Sequence, residues 1–129
     1  VQSVACIAIG AIVGALLRWK VGEYYNPLFP TLPLGTLAVN LLGSFLMGAA
    51  IFLTAEHSFF SPHLRLGFIT GFLGSFTTFS TFSAEALVLL SRQESFWLLA
   101  LIGLHVGGSI LMVIAGYTLS KIIFRGLAD

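Results

Sequence analysis

Residues 71–83 read Gly-Phe-Leu-Gly-Ser-Phe-Thr-Thr-Phe-Ser-Thr-Phe-Ser, in the middle of an otherwise apolar segment from about Arg65 to Leu90 that is long enough to cross a bilayer. Polar groups cannot stand unpaired in hydrocarbon, so this stretch must be buried in protein or line a wet pathway. Gly71 and Gly74 loosen the helix and expose carbonyls, the groups that hold a monovalent cation such as Na⁺ near a membrane midplane. Thr77, Thr78, Ser80 and Thr81 add hydroxyl donors and acceptors. Interhelical bonding by Ser and Thr with close packing at Gly is the competing explanation. Five hydroxyls among the seven positions from Thr77 to Ser83 exceed what packing requires, and the stretch reads as a functional interruption of a membrane span.

Three further apolar segments flank it. The first runs from about Val4 to Leu17, with Gly10 and Gly14 spaced to admit another helix closely, and it closes at Arg18 and Trp19. It lacks a basic leading region and a small-residue cleavage site, so it is expected to be a retained helix and not a signal peptide. From Val21 to Pro33, Glu23, two tyrosines and Pro27, Pro30 and Pro33 predict a surface connection. The second segment runs from about Leu34 to Thr54, and Glu56, His57, Ser58, Ser61, Pro62 and His63 form a polar turn before the third. Arg92 to Ser95 make the last turn, and a fourth segment covers about Phe96 to Tyr117, fraying toward Lys121 and Arg125.

Composition supports that layout. Of 129 residues, 57% are hydrophobic and 9% charged, with a mean hydropathy of +1.01, which leaves too little polar surface for a soluble domain of this size. A bilayer core about 30 Å thick takes roughly 20 apolar residues per helical crossing, so four crossings consume most of the chain and predict one transmembrane domain over residues 1–129. The six basic residues lie near segment ends, not in a stripe, which argues against nucleic acid as a partner. Cys6 is the single cysteine, so an intrachain disulfide and a thiolate cluster are excluded. With four crossings, Arg65, Lys121 and Arg125 fall on one side and Arg18, Lys20 and Arg92 on the other. That balance gives insertion no strong preference, so the chain is expected to enter both ways round and two copies to pair antiparallel, unless one basic residue near the first helix decides orientation alone.

The other candidate residues recur at helical spacing. Thr36, Asn40 and Ser44 make a polar stripe on the second segment, and the Asn40 amide is either interhelical glue or an anion-facing donor. His105 and Ser109 repeat the pattern on the fourth, where a lone His is either a satisfied structural residue or part of a pathway. Phe79 and Phe82, three apart, share one face of a helix beside the hydroxyls, and ring edges carry positive charge that can approach a dehydrated anion. With twelve phenylalanines in the chain, spacing alone favours ordinary core or lipid-facing rings. Glu85 is the one acidic residue well inside a segment, expected to pair with Arg18 or to face water. No second carboxylate, nucleophile or phosphate-binding loop accompanies it, so no enzyme is expected.

Three motifs carry a resemblance: Gly10-x-x-x-Gly14-Ala15-x-x-Arg18; Gly35-Thr36-Leu37-x-x-Asn40-x-x-Gly43-Ser44-Phe45; and Gly71-Phe72-x-Gly74-x-x-Thr77-Thr78-Phe79-Ser80-Thr81-Phe82. Together they resemble the Fluc (CrcB) family of fluoride channels over essentially the whole chain. The resemblance implies an all-α, dual-topology antiparallel homodimer in the inner membrane, with two fluoride pores and a structural Na⁺ at the dimer centre. Carried over by position, it implies that carbonyls of Gly74 and Thr77 hold the Na⁺, that Phe79 and Phe82 are pore-lining rings, and that Asn40 is the pore amide. Arg18 would stand near a vestibule, and Ser80, Thr81, His105 and Ser109 would line the pathway. The family often continues the fourth-segment track with another hydroxyl one turn on, where this chain has Met112 and Val113.

Fluoride is small and strongly hydrated, so a selective pore must replace its water with close donors and ring edges without forming a trap. The implied function is a passive fluoride leak out of the cytoplasm. A small dual-topology exporter of cationic drugs would share the size and charge balance, but needs a membrane carboxylate, for which Glu85 is the only candidate. A non-transporting assembly subunit is the third reading.

Overall fold

The computed structural model describes residues 1–56 and 60–127; His57 and Ser58 of the expected polar turn lie outside the described residues. Among the described residues all regular structure is helical, and four stretches are long and apolar enough to cross a membrane. They comprise α1 (Gln2–Tyr25), α2 (Leu34–Glu56), a third span divided into α3 (62–76) and α4 (Phe79–Ser91), and α5 (Ser95–Gly126).

Contacts at the span ends establish an up-and-down order. Ser3 Oγ at the start of α1 lies 2.9 Å from His63 Nδ1 at the start of α3, and Arg125 at the end of α5 lies 3.6 Å from Glu56 at the end of α2. At the opposite face the rings of Phe29 and Trp97 meet edge-on at 5.3 Å, joining the first connection to the start of α5.

Two helix pairs form glycine seams. A Cβ on Gly10 would run into the Gly67 carbonyl, and one on Gly14 into the Phe72 carbonyl, so the expected close approach at these residues is to α3, backbone against backbone. The α2–α5 seam is reciprocal: Gly48 lies against the Val113 carbonyl and Gly116 against the Phe45 carbonyl. α3 contains a π-helical stretch at Gly67–Leu73 and α5 another at Gly103–Gly107, local widenings that change which side chains face the bundle.

Two sequence expectations are corrected. The surface connection expected from Val21 is helical as far as Tyr25, because nothing before Pro27 removes a backbone donor, and Lys20 and Glu23 form an i,i+3 ion pair at 2.9 Å on its exposed side. Only from Asn26 does the chain tighten into the 3₁₀ turn Asn26–Leu28 that carries the first proline. The fourth span likewise continues as helix through Lys121 to Gly126, since no Pro or Gly pair falls between Tyr117 and Gly126 and Arg125 complements its carboxyl end. Between the third and fourth spans the chain reverses in three residues, with Gln93 at φ 58° as the left-handed position that closes the turn.

Candidate functional site

The third span is interrupted where its hydroxyl-rich sequence predicts. Thr77 (φ −86°, ψ 161°) and Thr78 (φ −151°, ψ 119°) are extended, and helix resumes at Phe79. Each threonine closes one end. Thr77 turns its hydroxyl and its amide back to the Leu73 carbonyl, at 2.9 and 3.1 Å. Thr78 is the N-cap of α4: its Oγ1 accepts the Thr81 amide at 3.2 Å and also lies 3.0 Å from the Thr81 hydroxyl. Ser83 donates to the Phe79 carbonyl at 2.9 Å. Three of the five hydroxyls thus serve the chain's own backbone, leaving Ser80 and Thr81 as the two not turned onto it.

Asn40 pins the interruption from α2. Its Oδ1 accepts the Thr78 N–H at 2.8 Å and its Nδ2 donates to the Thr78 carbonyl at 2.9 Å, so one side chain satisfies both backbone groups of an extended residue inside a membrane span. The same Nδ2 lies 3.0 Å from His105 Nδ1. Both amide protons are therefore engaged. Because the Thr78 amide goes to Asn40, the Gly74 carbonyl lacks the i+4 partner that a continuous helix would supply, and Gly74 itself is exposed. Gly43 is the position on α2 that admits the threonines, since a Cβ there would occupy the place of the Thr77 methyl.

Arg18 does not pair with Glu85. Its Nε donates to the Ser75 carbonyl at 2.8 Å, setting a guanidinium at the carboxyl-terminal end of α3, where the helix dipole and unsatisfied carbonyls attract a cation. Glu85 accepts from the Thr36 hydroxyl at 2.5 Å, and Thr36 is tied in turn to Asn26, whose Oδ1 accepts the Thr36 amide at 2.9 Å. Asn26 is a site residue the sequence reading missed. It caps α2 from outside because Pro33, just before that helix, has no capping side chain, and nothing local in the sequence links residues ten apart across a turn.

Two clefts flank the interruption. One of about 410 Å³ is lined by Arg18, Glu23, Asn26, Thr36, Thr78 and Thr81, toward the membrane face that holds the end of α1. The other, about 240 Å³, is lined by Asn40, Ser44, Thr78, Phe79, Ser109 and Val113, toward the opposite face. Thr78 is common to both. The sequence-predicted residues are thus brought to one region, with one exception to the expected geometry. The Phe79 and Phe82 rings are 5.3 Å apart but do not share an environment: Phe79 is 75% exposed and Phe82 7%, the latter packed on His105 with ring centroids at 4.8 Å. Three helical positions differ by about 60° around the axis, enough at the rim of a bundle to separate an outward ring from an inward one. No group of three His, Cys, Asp or Glu side chains able to hold a metal occurs among the described residues.

The family model described as CrcB-like protein, Camphor Resistance (CrcB) matches residues 5–117. Curated relatives include a fluoride-specific ion channel FluC of Nitrosospira multiformis, 54% identical over 114 residues and covering 88% of this chain and 89% of the relative. The fluoride-specific ion channel FluC of Chromobacterium violaceum is 52% identical over 115 residues, 89% of this chain and 91% of the relative. That of Desulfovibrio desulfuricans is 47% identical over 127 residues, 96% and 98% of the two chains.

Proposed function

This chain belongs to the CrcB family, and from that premise we propose that it is a fluoride-selective channel that lets the anion leave the cytoplasm passively across the inner membrane. The observation that carries the reading is the extended pair Thr77–Thr78 in mid-span, with hydroxyls not turned onto backbone and aromatic rings beside it and a cleft on each side. Arg18 attracts the anion to the wider cleft, Ser80, Thr81 and Ser109 replace its water with hydroxyl donors, and the edges of Phe79 and Phe82 pass it on without a fixed positive charge that would trap it. Asn40 acts beside them, holding Thr78 and His105 in register.

The working unit is an antiparallel homodimer with two pores. Ser80, Ser83, Phe79 and Gly74 are exposed in a single chain although they lie in the middle of an apolar span, and a second copy is the cover that would keep such groups out of hydrocarbon. The balanced basic residues favour the inverted pairing. A structural Na⁺ at the dimer centre fits the donors available: the carbonyls of Gly74 and Thr77, freed by the extended residues, are hard oxygen ligands.

The test is fluoride efflux from liposomes holding purified protein, with Phe79→Ile, Phe82→Ile and Asn40→Asp beside the parent. Efflux in the parent that is independent of protons and lost in variants that remain dimeric supports the channel. Exchange of a cationic drug for protons through Glu85 would replace it with the exporter reading, and absence of any flux with the assembly-subunit reading.

A further inference from the structure

Glu85 stands midway along α4, on the face that also carries Thr78 and Thr81 at helical spacing. The hydrogen bonds around it run in one direction. Asn26 Oδ1 accepts the Thr36 N–H at 2.9 Å, so the Asn26 atom 3.3 Å from Thr36 Oγ1 is the amide nitrogen, and it donates. The Thr36 hydroxyl in turn gives its single proton to Glu85 Oε1 at 2.5 Å. Its alternative acceptor, Asn26 Oδ1, is 3.5 Å away and already holds the Thr36 amide. The second carboxyl oxygen, Oε2, is fully buried and has no hydrogen-bond partner among the described residues.

Thr36 lines the cleft of about 410 Å³, together with Arg18 and Thr81. An ionised carboxylate is an acceptor only, so it holds the Thr36 proton on itself, and Thr36 then offers the cleft no donor. A protonated carboxyl reverses this. Its O–H donates to Thr36 Oγ1 and the Thr36 proton turns toward the cleft, where an anion losing its water needs donors. The step takes one H⁺ from water in the cleft and forms one O–H bond on the carboxyl, breaking no bond in the protein. It also cancels a negative charge beside the cleft and leaves Oε2 a neutral carbonyl, which costs less to keep unpaired than a carboxylate oxygen. Among the described residues, the charged groups of α1 at this cleft are Arg18, held on the Ser75 carbonyl, and the exposed Glu23, paired with Lys20. The turn Asn26–Leu28 and α2 bring the neutral Asn26 and Thr36, and α5 brings His105, packed on Phe82 three residues before Glu85. Arg92 and Glu94 stand beyond the end of α4.

We propose that Glu85 is a positioning residue of the wider cleft that sets the direction of the Thr36 hydroxyl, so that uptake of one proton readies the cleft for fluoride. This rests on the reading of the chain as a fluoride channel. The proton stays on Glu85 and does not travel with the anion, so efflux still needs no proton gradient.

The test begins with proton uptake by the purified parent in weakly buffered detergent solution. Sodium fluoride should draw protons onto the protein, because a ligand favoured by the protonated state must in turn favour protonation, and sodium chloride at equal concentration should not. Infrared difference spectra should show a carboxylic-acid C=O band growing with fluoride, and Glu85→Gln should lose both signals. In liposomes at equal pH inside and out, fluoride flux through the parent should rise about fivefold as the carboxyl passes from ionised to protonated, the size of one added hydrogen-bond donor, and Glu85→Gln should show no such rise. Thr36→Val, the same shape without the hydroxyl, keeps the carboxyl's charge and should lose most of the rise. A conducting parent without fluoride-linked proton uptake, a signal that persists in Glu85→Gln, or a parental rise in Thr36→Val would each overturn the proposal while leaving the channel intact. A parent that passes no fluoride at any pH would instead remove the channel reading itself. Should Glu85→Gln fail to fold, the parent's infrared band and its dependence on the Thr36 hydroxyl decide.

Discussion

The two halves of the third span are built on opposite principles. α3 is clamped: Gly10 and Gly14 bring α1 onto its backbone, Phe68, Phe72 and Phe76 stack along its side at 5.4–5.5 Å, and Arg18 closes its last turn. α4 is held mainly at its start, by the Asn40 grip on Thr78 and the Thr78 cap, and at Phe82 and Leu89, while Phe79, Ser80, Ser83 and Leu87 face outward. The first half is close-packed where α1 crosses it, and the second leaves the hydroxyls of Ser80 and Ser83 exposed. Structural rigidity and transport chemistry therefore meet at the two extended threonines, with the rigid half fixing where the other begins.

The sharpest challenge to that contrast is Gly14→Val. The branched side chain must displace the backbone of α3 at Phe72 and Phe76, a cost of about 3 kcal/mol or more, and folded protein should be lost in thermal unfolding monitored in detergent. Next comes Asn40→Ala, which strands the part-buried amide and carbonyl of Thr78 at about 1–3 kcal/mol each; a large fall in unfolding temperature with loss of fluoride flux is expected. On α4, Phe82→Ile should keep the parent's elution position on size exclusion yet lower liposome flux about 10-fold, equivalent to about 1.4 kcal/mol in the barrier. Ser80→Ala, whose hydroxyl meets only the Thr78 hydroxyl at 3.3 Å, should lower flux severalfold, whereas Ser83→Ala, whose hydroxyl is turned back onto Phe79, should leave it unchanged; equal effects would erase the distinction between hydroxyls bonded to backbone and those not. Smallest of all, Lys20→Ala removes an exposed ion pair and should alter stability by less than about 0.5 kcal/mol.

Much of this was legible in the chain. Apolar run lengths marked four crossings, and glycine with clustered hydroxyls marked the interruption to within a few residues, because both effects act locally. Gly10 and Gly14 announced a close approach without saying to what. Helix ends were less legible: Val21–Tyr25 carries polar and aromatic residues that suit a connection, yet remains helical until proline intervenes. Asn26 gave no signal, since a cap supplied from ten residues away belongs to no local pattern. The pair Phe79 and Phe82 shows the same limit, as spacing tells which side of a helix a ring is on but not where the rim of the bundle falls.

Hydropathy and backbone-breaking residues by themselves determined that this is a four-span membrane protein with a polar interruption in the third span, since each exerts its effect on its own few turns of chain. Only tertiary packing decided which donors stay available. It joined Asn40 to Thr78 and His105, 38 and 65 residues away, turned Arg18 to Ser75 instead of Glu85, and left Glu85 to Thr36. Hydrogen bonds reach about 3 Å, so partners so distant in sequence are chosen by which helices lie side by side, and no periodicity along the chain encodes that choice.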